Sequence, residues 1–369
     1  MRKKLLLLSF ILFSLHGFSQ NSPITENTKV SILTVDVADE SHTLYGHTAL
    51  RIQDATTHFD AIYNYGMFDF RTENFILKFV KGDLQYYAAA YPYADFEYSY
   101  QVENRSIYEQ VLNISLAEKQ KLFDKLNTSI FSEERFYTYK FIDRNCTTKV
   151  IDIVNEVLEN KPIKNTVHQN ESYREVLFPY ANNHFYMQLG INIIFGTRVD
   201  NPAKILFLPL DLMTVLEKTS YKNKPLVSKT TTNFKANRTA SFSFLDSIYS
   251  LIAVLLVFVI LNKKVTNIFY FSLLGLVGLL FSVIGLYSFH RELLWNYNVL
   301  LFNPMFLLLV FFILRNNTKW IKKLSWICLS ILGIYTLYMF TKVHLWIVLP
   351  IVVSTAVLLL RMALKKYAI

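Results

Sequence analysis

The sequence predicts an α+β exported domain followed by an all-α membrane domain of five helices. Three observations carry this reading. The chain opens with the make-up of an export signal, continues through about 140 residues in which β-branched and aromatic stretches alternate with amphipathic helical ones, and from Phe244 changes to five apolar runs of near-spanning length.

Arg2, Lys3 and Lys4 form a basic start, Leu5–Leu15 an apolar core, and Gly17 and Ser19 supply small residues for cleavage before Gln20. That core is shorter than the roughly 20 apolar residues of a spanning helix, so residues 1–19 are expected to be a signal peptide. The five apolar runs cover 244–262, 268–289, 297–314, 321–340 and 344–361, the third interrupted by Asn303-Pro304. With the exported domain outside, Lys263, Lys264, Arg315, Lys319, Lys322, Lys323, Arg361, Lys365 and Lys366 fall in inner loops. Only Arg291 and Lys342 fall in outer ones. This positive-inside pattern predicts a multi-pass membrane protein with the exported domain outside and the C-terminus on the cytoplasmic side.

The net charge of +10 has the same origin. Residues 247–369 hold 11 Lys/Arg and one acidic residue, Glu292, leaving 27 of each sign in residues 1–246. A basic balance confined to membrane loops gives no support to nucleic-acid binding. The domain plan is therefore a signal at 1–19, a periplasmic thiol domain at 20–161, a helical extension and linker at 162–240, and a membrane domain at 241–369.

Within the exported domain, KVSILTVDV at 29–37 reads as a strand. A second strand covers 48–52, with His47 at its start. Its alternation sends Ala49 and Arg51 to one face and Thr48, Leu50 and Ile52 to the other, as in a half-buried strand. A turn at 54–57 leads to a strand at 58–65 that Gly66 ends. Residues 72–81 form a short amphipathic helix, 84–93 an aromatic-rich strand and 107–114 another strand. Ser115 caps a helix at 116–130 with Glu118 completing a capping box. After 136–141 comes a helix whose apolar stripe is Val150, Ile151, Val154, Val157 and Leu158. Residues 162–240 read as helices near 172–195 and 203–218, then a polar, basic linker.

Asp143 and Asn145 are N-cap types before that last exported helix, which puts Cys146 in its first turn, where the helix dipole favours thiolate. The only other cysteine, Cys328, lies inside the fourth apolar run. An unpaired thiol held in an oxidising compartment points to use as a nucleophile. Such a thiol needs a base, a group that orients the base, and donors for the oxyanion. Among His42, His47, His58, His168, His184 and His290, His47 is the best base: it begins a strand and follows Gly46. The residue types show no clustered ligand spacing for a metal, and no cofactor is expected.

A strand-borne His followed about a hundred residues later by Asn-Cys at a helix start resembles the circularly permuted papain-like enzymes, the NlpC and lecithin retinol acyltransferase type. More closely, YGHTALRI at 45–52, IYNYGMFDF at 62–70, the 72–87 stretch ending KGDLQYY and RNCTTKV at 144–150 resemble the N-terminal periplasmic domain of the bacterial Lnb lipoprotein N-acyltransferases. The five-helix membrane part is similar to that family's architecture too. The resemblance implies a permuted papain-like fold, Cys146 as nucleophile and His47 as its base. For the third position it leaves His58, 11 residues after His47, beside Asp60 and Asn64. Asn145, Thr147 and the amides around Cys146 become candidate oxyanion donors, with Tyr139, Asp143 and Arg144 nearby.

The outer loop FHRELLWNY holds His290, Arg291 and Glu292 with Trp295 and Tyr297. Two readings of it stand: anchoring at the membrane interface, or holding a phospholipid head group or the acceptor. The activity implied is transfer of an acyl chain from a phospholipid, through a Cys146 thioester, to the α-amino group of the lipid-modified N-terminal Cys of a lipoprotein. A membrane-anchored cysteine peptidase or amidase acting on cell-wall peptides, and a non-catalytic lipid-binding scaffold, are the alternatives.

Overall fold

The computed structural model describes residues 24–238 and 242–364, so the predicted signal at 1–19 lies outside the described residues. The strands are β1 (Lys29–Val35), β2 (His47–Asp54), β3 (Phe59–Met67), β4 (Gln85–Pro92), β5 (Ile107–Val111), β6 (Phe136–Thr138), β7 (Ser220–Tyr221), β8 (Lys224–Pro225) and β9 (Thr231–Phe234). Seven of them form one sheet in the order β6-β4-β3-β2-β1-β5-β9, with every neighbouring pair antiparallel. The helices of this part are α1 (Phe75–Lys81), α2 (Tyr93–Val102), α3 (Leu116–Phe131), α4 (Cys146–Val157), α5 (Tyr173–Leu177), α6 (Phe185–Ile194) and α7 (Pro209–Lys218).

One face of the sheet buries Val30, Ile32, Leu50, Ile52, Tyr63 and Tyr65 against Leu122 and Leu126 of α3, Val150 and Val154 of α4, and Leu212 and Val215 of α7. The expected amphipathic stripe of α4 and the capping box of α3 are both present. The other face, read from alternation as solvated, is covered. Leu33, Val35, Ala49, Ile62 and Ile107 pack against Tyr93 and Phe96 of α2. That helix was not anticipated, because its aromatic sequence continues the β-rich composition of β4; Pro92 marks the change by standing at the N-cap. Under α2, Arg51 is buried and bonded through Nε and Nη2 to Asp60 and through Nη1 to Glu109, with its guanidinium 3.4 Å from the Tyr93 ring centre. A buried charge survives there because it is fully paired.

Between 162 and 240 the structure departs further from expectation. The helix near 172–195 is broken into α5, a 3-10 turn at Phe178–Ala181 that contains Pro179, and α6. α7 begins at Pro209 rather than 203, since proline is favoured at the first helical turn and disfavours helix before it. The stretch read as linker supplies β9, which pairs with β5, and buries Leu226 and Val227 in the sheet domain's core.

The C-terminal region comprises α8 (Ile248–Leu261), α9 (Lys264–Tyr287), α10 (Met305–Leu314), α11 (Thr318–Met339) and α12 (Leu345–Leu364). Three of these, α9, α11 and α12, are long and apolar enough to cross a membrane. The segments Arg291–Leu300 and Met305–Leu314 make a fourth span if the pair, bent by 41° around Asn303-Pro304, counts as one. Five whole spanning helices were expected. α8, with 14 residues, is about 21 Å long and shorter than a roughly 30 Å hydrocarbon core, so among the described residues three helices, or four with the bent pair, reach spanning length. Cys328 is buried in this bundle.

Two joints seat the sheet domain on the helical region. At one, the Phe289 amide bonds the Lys81 carbonyl, the Ser288 hydroxyl bonds the Val80 carbonyl, and Lys140 Nζ reaches the Phe289 carbonyl at 3.4 Å. At the other, the Gly196 amide bonds the Glu292 carbonyl at 2.7 Å and Asn296 Nδ2 bonds the carbonyls of Ile193 and Ile194. Both joints fall on residues 288–296, the turn that follows α9.

Candidate active site

Cys146 is the first residue of α4, and Asn145 is its N-cap. The Asn145 side chain accepts from the Thr148 amide and the Thr148 hydroxyl accepts from the Asn145 amide, which fixes the chain's entry into the helix. Asn145 Nδ2 donates to the carbonyls of Phe141 and Phe207. Both of its donor hydrogens are thus spent on structure, and the side chain expected to bind an oxyanion is a tether instead. Thr147 is likewise a strut: its hydroxyl meets that of Thr48 on β2 at 3.0 Å.

His47 opens β2, directly across from the sheet position at which β3 bulges. Ala49 pairs with Asn64 and the register breaks between Tyr65 and Met67, at Gly66. Asn64 is therefore the diagonal neighbour of His47 on the same face. Its Oδ1 lies 2.6 Å from His47 Nε2, while its Nδ2 donates to the Tyr91 hydroxyl at 2.8 Å. An amide oxygen only accepts, so this contact places the ring proton on Nε2 and leaves Nδ1 as the basic nitrogen.

The electrostatics agree with the geometry. Burial raises the Cys146 thiol, but the charge and hydrogen bond of His47, the Thr48 amide and the Thr147 hydroxyl outweigh it and hold the thiol below its ordinary value. Burial lowers His47, and Cys146 and Asn64 more than reverse this, so the imidazole sits above its ordinary value. Both shifts move the pair towards thiolate and imidazolium.

Gly66 has φ +100°, a conformation open to glycine and strained for other residues. A Cβ there would stand 3.7 Å from Cys146 Cβ, 3.8 Å from His47 Cε1 and 3.9 Å from the Tyr137 hydroxyl. The glycine thus keeps clear the space on which thiol, imidazole and phenol converge. The Tyr137 hydroxyl is buried there with no hydrogen-bond partner among the described residues. Burial raises this phenol well above its ordinary value, and it feels the charge of Cys146. Arg144 and Lys149 lie over the Tyr137 ring at 5.4 and 5.5 Å.

Of the residues named from sequence, His58 is not brought to the site. It sits exposed in the β2–β3 hairpin turn, at the far end of a strand about 23 Å long. Asp60 is bonded to Arg51 and unavailable to His47. Tyr139 stacks on Tyr86 at 4.5 Å, and burial raises its phenol, with smaller contributions from the charges of Cys146 and Glu292. Asp143 is paired with Arg198. In the outer loop, His290 Nε2 contacts the Phe79 carbonyl at 2.8 Å, Arg291 is exposed, and Glu292 is 2% exposed with Oε1 unpartnered. Tyr137 and Gly66 were not singled out from sequence; β6 is too short to signal an inward phenol, and a glycine reads as an end to a strand before it reads as a bulge. Among the described residues, no group of three or more His, Cys, Asp or Glu side chains could hold a metal ion.

Comparison with known proteins gives one match. Residues 18–177 fit the family described as the Lnb N-terminal periplasmic domain, a span that holds His47, Asn64, Gly66, Tyr137 and Cys146. No curated protein and no solved structure matches the chain. The chain accordingly carries, over residues 18–177, an Lnb-type periplasmic domain, joined to a helical region whose apolar helices are long enough to make it a membrane protein.

Proposed function

We propose that this protein is a thiol-dependent lipoprotein N-acyltransferase working at the outer face of the inner membrane. The observation that carries the reading is the Cys146–His47–Asn64 arrangement inside a domain of the Lnb type. The same order of groups is what a permuted papain-like fold would supply. His47 takes the thiol proton, and the Cys146 sulfur attacks the carbonyl carbon of a phospholipid acyl ester. The tetrahedral oxyanion falls between the Tyr137 hydroxyl and the amides of Cys146 and Thr147, which lie in the helix's first turn and lack intrahelical acceptors. His47 returns the proton to the departing lysophospholipid oxygen, and the acyl group remains as a thioester.

The α-amino group of a lipoprotein's lipid-modified N-terminal Cys then attacks the thioester. Its proton passes through His47, the C–S bond breaks, and the thiolate is restored as the amide forms. Glu292, buried and unpartnered through Oε1 at the joint beside Lys140 and Tyr139, is the group that draws in the acceptor ammonium. Both substrates are confined to a bilayer, so seating the thiol on membrane helices raises their effective concentration.

Intact-mass measurement after incubation with phospholipid tests this, wild type beside Cys146→Ala. The reading expects an added acyl mass on the wild type alone, removed by neutral hydroxylamine. Unmodified wild-type protein with every phospholipid tested, acceptor absent, sinks the thioester scheme.

A further inference from the structure

The sheet domain carries a cluster of large apolar side chains that nothing among the described residues covers. On α1, Ile76 is 73% exposed and Leu77 60%, Phe79 is exposed beside them, and Phe70 just before the helix is 69% exposed. No residue of α1 is buried. Soluble surfaces scatter such residues singly; four together mark an interface.

The helix's position says what meets them. Its last three carbonyls are tied to the end of α9: Phe79 to His290, Val80 to Ser288 and Lys81 to Phe289. Gly82 packs so closely on His290 that a Cβ would stand 3.0 Å from its ring. α9 is 24 residues long and apolar enough to span a membrane, so the residues just past its end stand at the bilayer surface. Phe289 and Trp295, both exposed, fit that level. Ile76 and Leu77 lie about 6–8 Å along α1 from this joint. Lys78 and Lys81 close the helix; Lys81 is paired with Asp83, and Lys78 has a stem and charge suited to the head groups of an anionic leaflet.

We infer that α1, with the Phe70 turn before it, lies in the outer leaflet of the bilayer and forms the lipid-facing edge of the periplasmic domain. The inference goes beyond the acyl-transfer reading and does not need it. The rings Phe70, Phe68, Tyr86 and Tyr137, in contact at 4.9, 5.2 and 6.5 Å between centres, connect this edge to the candidate site.

Full-length Cys146→Ala protein, in which Cys328 is buried, gives a background for labelling Leu77→Cys, and separately Ile76→Cys, with an environment-sensitive fluorophore. In liposomes of phosphatidylethanolamine and phosphatidylglycerol, nitroxide near the top of the acyl chain is expected to cut emission from either site at least two-fold, and aqueous iodide to leave it nearly unchanged. A Thr56→Cys probe, in the exposed hairpin at the opposite end of β3, is expected to show the reverse. Quenching of both α1 probes by iodide and not by lipid nitroxide would overturn the inference. The readout is depth rather than rate, so it fails or holds independently of the thioester.

Discussion

His47 and Asn64 meet across β2 and β3, Nε2 to Oδ1, at 2.6 Å, and Asn64 is held by its own bond to Tyr91. On the proposed acyl-transfer reading, the amide does for the imidazole what a carboxylate does in a triad: it fixes the tautomer and the ring's aim. Hydrogen bonds to charged groups contribute about 1.5–3 kcal/mol. Asn64→Ala is therefore expected to lower kcat/KM roughly 10- to 100-fold, measured by acylation kinetics, while circular dichroism stays unchanged. A variant with wild-type kinetics would remove Asn64 from the site.

The pH profile follows from the directions of the two shifts. Cys146 ionises below its ordinary value of about 8.5, and His47 keeps its proton above its ordinary value of about 6.5. Rate rises with pH as thiolate forms and falls as the imidazolium deprotonates, giving a bell whose acid limb reports the lowered thiol and whose alkaline limb the raised imidazole. Asn64 is among the groups that raise His47, so Asn64→Ala moves the alkaline limb downward. Alkylation of Cys146 by iodoacetamide across pH checks the acid limb without a substrate, and acylation rates of Asn64→Ala across pH check the alkaline one.

Much of this site was legible in the chain. Asn145, Cys146 and the apolar stripe behind them announce a capped helix with a thiol in its first turn. What sequence left open was the third position, and the reason is register. With Asp54 opposite Phe59, position 64 falls diagonally beside His47, and His58 falls in the turn; a one-residue slip in that hairpin would have sent Asn64 to the other face. Sequence spacing alone carries no such information. α2 was missed because its buried residues, Tyr93 and Phe96, are two in ten, too sparse a stripe to tell from an aromatic strand. The first apolar run was read as longer than its helix because hydropathy counts residues 244–247, whereas the helix starts only at Ile248, after the Ser247 N-cap.

Gly66 is the residue whose replacement should separate activity from folding. Alanine there must hold φ near +100°, at about 1–3 kcal/mol of strain, and its methyl enters the space between thiol, imidazole and phenol. The expected outcome for Gly66→Ala is a loss of activity on the order of 100-fold or more alongside a stability loss of only that strain. Thermal denaturation beside acylation rates decides it. Equal, small effects on both would mean that the space is not used by substrate.

Tyr137→Phe makes the complementary case. The hydroxyl is buried with no partner among the described residues, so removing it exposes no orphaned group and should leave the melting temperature unchanged or slightly raised. If the phenol donates to the oxyanion, kcat falls on the order of 100-fold with little change in KM. A parallel loss of stability and rate would mark the phenol as packing only.

The last prediction concerns the second joint. A Cβ on Gly196 would stand 1.9 Å from the Leu294 carbonyl oxygen, a distance no side chain can share with backbone. Gly196→Ala must therefore push the 292–295 strap away from the sheet domain, breaking the Gly196–Glu292 backbone bond and moving the Glu292 carboxylate with it. Gly190, on α6, has nothing within 4 Å of its Cβ position, so Gly190→Ala only improves helix propensity, by about 0.5–1 kcal/mol. The pair is a controlled comparison of the same substitution six residues apart. In purified full-length protein, Gly190→Ala should melt at or above the wild-type temperature with full activity. Gly196→Ala should melt lower, by the roughly 1–3 kcal/mol of an overpacked contact, and should lose turnover with lipoprotein acceptor while still forming the Cys146 thioester. Retained turnover at wild-type rate would show that Glu292 and its strap take no part in acceptor binding.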